Sequence, residues 1–385
     1  MMEPFRCILA SRLLLDHQLH GTQLHRSGGV AADVRKVVED ATLIAFEQIV
    51  DACLLHEVDC VLLSGDSFDP EDQGLRGPAK LIREIGRLAE HDIPVILQGG
   101  RSDLWSYWPA GLRFPPNAHR LGTSLEASVN VSRQGILQAT IGVVGKSTDN
   151  QPAAGLDWQI QFPDKSGTFR TVRIPDDLGS VQGLRPHETG AHGGLLIEFD
   201  ESDTPRREFI PTAPVRWERF EVIVHPEMTR DDLLQEMATR LEQTPREPCE
   251  KLWLVGWDLS GTGELLELLC DHSFRDDLAL ELTELDPLPN VRIHTHALRV
   301  RALLDSEQSR AGDDDLVAEY AAQIDEQFAR PETALHECLA GSALGGGPWE
   351  VKIESLFAEL DAGEVAFDAR KMAMHWFSAH EELSS

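Results

Sequence analysis

Acidic and histidine side chains follow three apolar segments of the chain, at points where a strand would end. Asp66 and Asp69 come directly after the apolar run VDCVLLS and Gly65, and Asp103 follows the run IPVILQ. A third polar cluster, DHQLHGTQLH, begins at Asp16. Carboxylate and imidazole groups bind divalent metal ions. These residues are therefore candidates for a metal site.

Each of these groups also has a plain structural interpretation. Asp66 and Asp69 precede a turn at Pro70, where a carboxylate often caps the backbone or pairs with arginine. The histidines of the third cluster are either metal ligands recruited from the same loop, in a compensating site, or part of a solvated loop. They are His17, His20 and His25.

Two further motifs leave two interpretations open. His294 and His296 alternate on a predicted strand, so both face one side and form either part of a zinc site or a polar strand face. The aromatic residues near position 105 either stack on nucleic-acid bases or pack in the core. They are Trp105, Tyr107 and Trp108.

The apolar pattern predicts the elements that position these residues. Strands are predicted over 5–10, 58–64 and 93–98, with a long amphipathic helix over 31–56 and a second helix over 75–91. This alternation predicts an α/β core with parallel strands. Ligands of such sheets bind at the loops that follow the strands, which is where the candidate residues lie.

The pattern changes in the rest of the chain. Short β segments run from about 123 to 212, and a small α/β unit is predicted over 216–300. Acidic amphipathic helices are predicted at 313–329 and 349–360.

The charge of the chain is large and uneven. The 385 residues carry a formal net charge of −30, divided into −8 over residues 1–220 and −22 over 221–385. Nonspecific contacts with nucleic acid need clustered Lys and Arg. We therefore expect any DNA contact to be made through the first part alone.

The sequence also predicts a cytoplasmic protein. Arg6 and Arg12 interrupt the first apolar stretch, which favours a strand over a signal peptide. No run of about 18 apolar residues is present to span a membrane. The six cysteines form no CxxC pair and are expected to be reduced thiols.

Several stretches carry a resemblance to a known family. One begins at Arg35 and runs through ATLIAFEQIVD into VDCVLLSGDSFD; the others are GSVQGLRPHETGAHGGLLIEFD, APVRWERFEV and VGWDLSGTGEL. Together they resemble the SbcD-type bacterial DNA-repair exonucleases of the calcineurin-like metallophosphoesterase superfamily, over most of the chain.

The resemblance implies a fold and partners. The fold is α/β: a four-layer metallophosphoesterase-like β-sandwich flanked by helices and truncated at about 123–175, with a small α/β capping domain and C-terminal helices. The implied domains are 1–212, 213–302 and the acidic helical region 303–385. The implied partners are an SbcC-type coiled-coil ATPase, docked on the helical region, and a second copy of the chain in a homodimer.

The resemblance further implies a pair of manganese or magnesium ions with a defined ligand set. The set is D-x-H after the first strand, G-D after the second, G-N-H-D after the third, and three later histidines. In this chain Arg12 and Leu14 stand in place of D-x-H. Arg101 replaces the metal-binding amide, and Ser102 stands where the family has its catalytic histidine.

Asp66, at the bridging position, is the ligand that is clearly retained, and Asp69 and Asp103 are weaker candidates. None of the fifteen histidines lies between His119 and His187, the interval that should hold the later three. One carboxylate cannot hold two divalent ions, and the two arginines are expected to pair with it instead.

These departures predict a degenerate member of the family without a metal cofactor, which acts as a structural or partner-binding subunit. One alternative is an active metal-dependent phosphoesterase or DNA exonuclease with a rebuilt site, built from the three aspartates with histidines of 17–25. Another is an acidic scaffold in an assembly unrelated to nucleic acid.

Overall fold

The computed structural model describes residues 4–22, 32–68, 74–100, 108, 111–122, 127–144, 157–163, 168–175, 178–200, 205–269, 271–284, 288 and 290–302. The helices are α1 Ala32–Glu39, α2 Ala41–Leu55, α3 Arg76–Ala89, α4 Arg230–Gln243, α5 Glu264–Leu268 and α6 His272–Glu284. The strands are β1 Phe5–Ser11, β2 Cys60–Ser64, β3 Val95–Gln98, β4 Ala118–Leu121, β5 Ser128–Arg133, β6 Ile136–Val144, β7 Asp157–Pro163, β8 Phe169–Ile174, β9 Gly193–Phe199, β10 Arg206–Pro211, β11 Val215–Val224, β12 Leu252–Gly261 and β13 Arg292–Ala302.

A six-stranded sheet in the order β10-β9-β1-β2-β3-β4 forms the centre of the fold. Strands β1 to β4 are parallel, with Cys7 opposite Cys60 and Val61 opposite Val95. The parallel α/β core predicted for the first hundred residues is confirmed. Consequently the loops that follow β1, β2 and β3 emerge at one edge of this sheet.

A second, antiparallel sheet in the order β5-β6-β7-β8 covers one face of the first. The core between the two sheets includes Phe5 and Leu62 from the first and Ile141 and Trp158 from the second. Trp158 also donates its indole N–H to the hydroxyl of Ser64, at the end of β2, over 2.5 Å. The second sheet therefore supports the edge at which the candidate residues lie.

The outward face of the second sheet is polar. One cross-strand row consists of Asn130, Thr140, Gln161 and Thr171, while the neighbouring positions on each strand point into the core. A row of polar side chains is compatible with contact with water. The described residues thus supply three layers in a mixed α/β fold, with α2 and α3 on one side of the six-stranded sheet and the second sheet on the other.

The helical layer is held to the sheet by apolar contacts and to itself by ion pairs. Phe46 and Ile49 of α2 and Leu81 of α3 are fully buried against the sheet. On the other side of the helices, Arg87 pairs with Asp51 at 2.6 Å and with the buried carboxylate of Glu84 at 2.6 Å. None of the helices in the described part of the chain combines the length and the apolar character that a membrane span needs.

The three-stranded sheet β11-β12-β13 lies later in the chain. The N–H of Lys251 donates to Pro214 over 2.8 Å and that of Arg292 to Lys251 over 3.0 Å. The three strands therefore begin at the same edge and run parallel. Helix α4 begins with a capping box, in which Thr229 and Asp232 satisfy each other's backbone N–H groups.

The chain divides into two compact units. The first comprises Met1–Val222, Thr229–Asp258 and Cys270–Arg299, and the second comprises Ile223–Met228, Leu259–Leu269 and the residues from Val300. The domain boundaries predicted at 212 and 302 stay predictions, and the predicted helices of 303–385 lie outside the described residues.

Two details of the predicted elements were wrong. The helix predicted over 31–56 is two helices, because Asp40 leaves the helical conformation at φ −103° and ψ 6°. The side chain of Asp40 pairs there with Arg76 at the start of α3. Helix α6 was not predicted, because its polar sequence HSFRDDLALELTE has a weak apolar stripe.

Candidate functional site

The ends of β2 and β3 approach each other at two glycines. Gly65 follows β2 with a φ of +61°, and a Cβ on it would lie 2.4 Å from the Cα of Gly100, which follows β3. No side chain fits at that distance, so the glycine is required both for its backbone angle and for this contact. The close approach fixes the spacing of the two loops predicted to carry the site.

The loop after β1 lies along the loop after β2. The N–H of Arg12 donates to the carbonyl of Gly65 over 3.3 Å, and the N–H of Leu14 donates to that of Asp66 over 3.0 Å. Arg12, Leu14 and Asp66 all have a positive φ, at 51°, 42° and 49°. Each such residue costs roughly 1–3 kcal/mol and persists only where its surroundings impose it. These backbone contacts impose it here.

The side chain of Arg12 is exposed. The described ion pairs at this edge join Arg76 to Asp16, at 3.1 Å, and to Asp40, and none of them involves Arg12. Within the described residues, the predicted pairing of Arg12 with Asp66 is therefore not found. Arg101, the second predicted partner, lies outside them.

Leu14 is partly buried beside a hydrophobic core. It packs against a cluster centred on Trp217, which we call the Trp217 cluster. Its buried members are Leu19, Val34, Val38, Ala41, Leu184, Val215, Trp217, Leu252 and Leu254. Where the resemblance implies a metal-binding histidine, this chain thus places an alkyl group in contact with other apolar side chains.

Asp66 is half-buried at this edge. Of the implied ligand positions that the structure describes, Asp66 alone offers a ligand atom to a divalent ion, because Arg12 and Leu14 offer none. The other predicted site residues lie outside the described residues. They are Asp69, Arg101, Ser102 and Asp103.

The search for metal-binding groups gives a result only for the described residues. Among them, no group of three or more His, Cys, Asp or Glu side chains is arranged to hold a metal ion. Two histidines of the first loop do lie together: the Nε2 atoms of His17 and His20 are 3.2 Å apart. His25, the third predicted member of that cluster, lies outside the described residues.

The loop before β9 holds the first loop in position, which the sequence analysis did not predict. The N–H of His20 donates to the carbonyl of Leu184 over 2.9 Å. Within the loop, the ring nitrogens of His192 lie 3.0 Å from the carbonyl oxygen of Ser180 and 3.1 Å from that of Glu188. The i, i+4 spacing of Glu188 and His192 was visible in the sequence, but nothing in the sequence showed that both residues form hydrogen bonds within this loop.

His294 and His296 face the first loop from β13. His296 is buried, lies edge-on to Trp217 with ring centroids 5.0 Å apart, and hydrogen-bonds to the backbone of Gly21. His294 makes a similar bond to the backbone of Thr22. Of the two predicted interpretations, the structure thus favours a polar strand face that contacts the protein itself.

The aromatic cluster after the third strand is described only at Trp108. Its ring packs against Phe68 and Phe114, with centroids 4.6 and 5.6 Å away, and it is buried. The structure therefore favours packing over base stacking for Trp108. Trp105 and Tyr107 lie outside the described residues.

Replacement of His296 by phenylalanine is expected to make the stability less sensitive to acid. Burial lowers the pKa of His296 to about 4, and the charges of Arg299, His294 and Arg219 act in the same direction. The unfolded chain, with an ordinary histidine pKa near 6.5, binds the proton first, so stability falls as pH drops from 6.5 towards 4. The loss amounts to up to about 3 kcal/mol. Urea unfolding at pH 7, 6, 5 and 4 measures it.

His91→Gln is the control for this experiment, because His91 is exposed in the turn after α3. It is expected to leave the pH dependence of the wild-type protein unchanged. Equal slopes of unfolding free energy against pH in the wild type and in His296→Phe would show that folding does not lower the pKa of His296.

Comparison with known proteins reveals a weak similarity to a metallophosphoesterase. No model of a known protein family matches the sequence. The "uncharacterized metallophosphoesterase YhaO" of Bacillus subtilis (strain 168) is 25% identical to this chain over 142 residues. The chain is similar to a metallophosphoesterase. The match covers 37% of this chain and spans about a third, 33%, of the relative's length.

This similarity supports a relationship to the metallophosphoesterase superfamily. The fold agrees with it, since both the mixed six-stranded sheet and the antiparallel sheet that covers it are present. The similarity does not extend to the SbcD-type assignment, which stays a prediction from the sequence.

Proposed function

We propose that this protein is a metallophosphoesterase-like subunit that has lost the two-metal hydrolytic centre and binds a partner protein in a DNA double-strand-break repair assembly. The observation that carries the proposal lies at the end of β1. There the exposed Arg12 and the partly buried Leu14, which packs against the Trp217 cluster, occupy the positions of the D-x-H ligand pair.

The physical argument concerns charge and ligand count. A two-metal centre concentrates positive charge between ligands that donate electron pairs. Arg12 adds a positive charge at this edge, and Leu14 has no donor atom. Leu14 packs against the Trp217 cluster, so the side chain that replaces the ligand contributes to the stability of the fold.

The partner proposal rests on the sequence. The acidic amphipathic helices predicted at 313–329 and 349–360 provide a surface for an SbcC-type coiled-coil ATPase. The net charge of −22 over 221–385 disfavours DNA as the ligand of that part of the chain. In this assembly, any contact of the chain with DNA is made by its N-terminal part.

The purified protein, soaked in manganese and desalted, is expected to retain no stoichiometric manganese at the position where the family has its two metal ions. Asp66→Ala is expected to leave any residual hydrolysis of a model phosphodiester and of linear DNA unchanged, because a single carboxylate does not hold two ions. Metal analysis and a hydrolysis assay on the same samples measure both. Retention of two ions, together with hydrolysis that Asp66→Ala abolishes, would instead identify an active phosphoesterase with a rebuilt site.

The partner arm of this experiment uses co-purification with an SbcC-type ATPase. Deletion of residues 313–385 is expected to abolish binding, and the binding of the full chain is expected to change little with salt, in contrast to DNA binding. Binding that survives the deletion would remove this region from the interface.

A further inference from the structure

The loop after β1 contains a pair of histidines whose arrangement suits a metal ion. We propose that His17 and His20 bind one divalent transition-metal ion of the zinc type through their two Nε2 atoms. The site is separate from the two-metal centre, whose implied positions are Arg12, Leu14 and Asp66. The inference does not rest on the proposed function.

The distance between the two nitrogen atoms carries the proposal. The Nε2 atom of His17 lies 3.2 Å from the Nε2 atom of His20. Two nitrogens at about 2.0–2.1 Å from a tetrahedral zinc ion lie about 3.3 Å apart. The rings therefore need little movement to place their lone pairs on a common ion, once neither Nε2 carries a proton.

The backbone on both sides of the pair is fixed by contacts that need no metal. The N–H of His17 donates to the carbonyl of Leu14 over 3.0 Å, and the N–H of His20 donates to that of Leu184 over 2.9 Å. Between them, Leu19 is buried in the Trp217 cluster. Because the loop is already ordered, binding has little backbone entropy to overcome.

The ligand chemistry determines which ion is expected. Imidazole nitrogens suit zinc, copper and nickel, whereas magnesium and calcium prefer oxygen ligands. Among the described residues, no third His, Cys, Asp or Glu joins the pair, so the proposal rests on these two nitrogen ligands. A site with two protein ligands is expected to bind in the micromolar range and to contribute to loop stability.

The competing arrangement is a direct hydrogen bond between two neutral rings, one donating and one accepting. It gives the same separation without an ion. The two arrangements differ in their response to zinc. With the direct hydrogen bond alone, zinc would neither bind stoichiometrically nor stabilise the loop.

Isothermal titration calorimetry of zinc binding to the chelator-treated full chain tests the proposal. We expect one equivalent to bind, and we expect His17→Gln and His20→Gln each to weaken binding by about tenfold or more, since even outer-shell changes cost roughly 10–100-fold. His91→Gln, at an exposed histidine, is the matched control and is expected to bind as the wild type does.

A second measurement does not depend on the variants folding. The electron paramagnetic resonance spectrum of the wild-type protein with one equivalent of copper is expected to show two nitrogen ligands. Absence of stoichiometric binding, or binding that both glutamine variants retain, overturns the proposal in favour of the direct hydrogen bond. Manganese retention that depends on Asp66 would overturn the proposed function and leave this inference standing.

Discussion

Replacement of Glu84 by alanine is expected to lower the free energy of unfolding by about 3–5 kcal/mol, the cost of breaking a buried ion pair. The carboxylate is 1% exposed and lies 3.0 Å from the ammonium group of Lys80, 3.1 Å from the guanidinium of Arg83 and 2.6 Å from that of Arg87. Its removal leaves Lys80, itself 7% exposed, with one remaining carboxylate partner, Glu47. Urea unfolding at pH 7 measures the loss.

The pH dependence of the same variant gives an independent check. Burial alone would raise the pKa of Glu84, but hydrogen bonds from Arg87, Lys80 and Arg83 outweigh it and lower the pKa below 4.5. The stability that comes from this ionisation is therefore present above pH 4.5 and is lost as pH falls through the lowered value. Glu84→Gln is expected to lack that part of the acid dependence.

Glu47→Ala is the matched control, because Glu47 pairs with the same lysine from a position that is 46% exposed. Exposed pairs contribute about 0–1 kcal/mol. If Glu47→Ala and Glu84→Ala destabilise the protein equally, burial of the carboxylate is not what gives the pair its strength.

The parallel core could be predicted because its signals are local. The apolar runs that became β2 and β3 are continuous, as buried parallel strands require. At the break between α1 and α2, Asp40 pairs instead with Arg76, which lies 36 residues away in sequence. Periodicity within a window cannot detect such a contact, and the apolar spacing continues across Asp40, so one helix was predicted in place of two.

The sequence predicted where three of the candidate residues lie in the sheet, but it did not predict which side chains they contact. The sequence placed Arg12, Leu14 and Asp66 at one edge, and the structure brings them together there. The sequence could not show that Leu14 faces the Trp217 cluster, because the members of that cluster come from β11, β12, α1, the start of α2 and two loops. Nor could it show that His296 reaches the backbone of Gly21, a contact across 275 residues.

Gly65→Ala is expected to be among the most destabilising single substitutions in the chain, with a loss of more than about 3 kcal/mol. The new Cβ would lie 2.4 Å from the Cα and 2.8 Å from the backbone nitrogen of Gly100. Overpacking costs about 1–3 kcal/mol, and a left-handed backbone costs a residue with a side chain roughly 1–2 kcal/mol more. Backbone atoms cannot rotate away as a flexible side chain can, so β2 and β3 must separate at this edge.

Gly135→Ala separates the two contributions. Gly135 also has a positive φ, of +79°, but nothing lies within 4 Å of the position that its Cβ would take. In the turn between β5 and β6, alanine at position 135 is therefore expected to be destabilising only through its backbone conformation, by about 1–2 kcal/mol. The difference between the two variants in urea unfolding then measures the contact between the loops. A difference near zero would mean that the Gly65 and Gly100 loops move apart freely, and that neither the spacing of this edge nor the position of Asp66 is fixed by their contact.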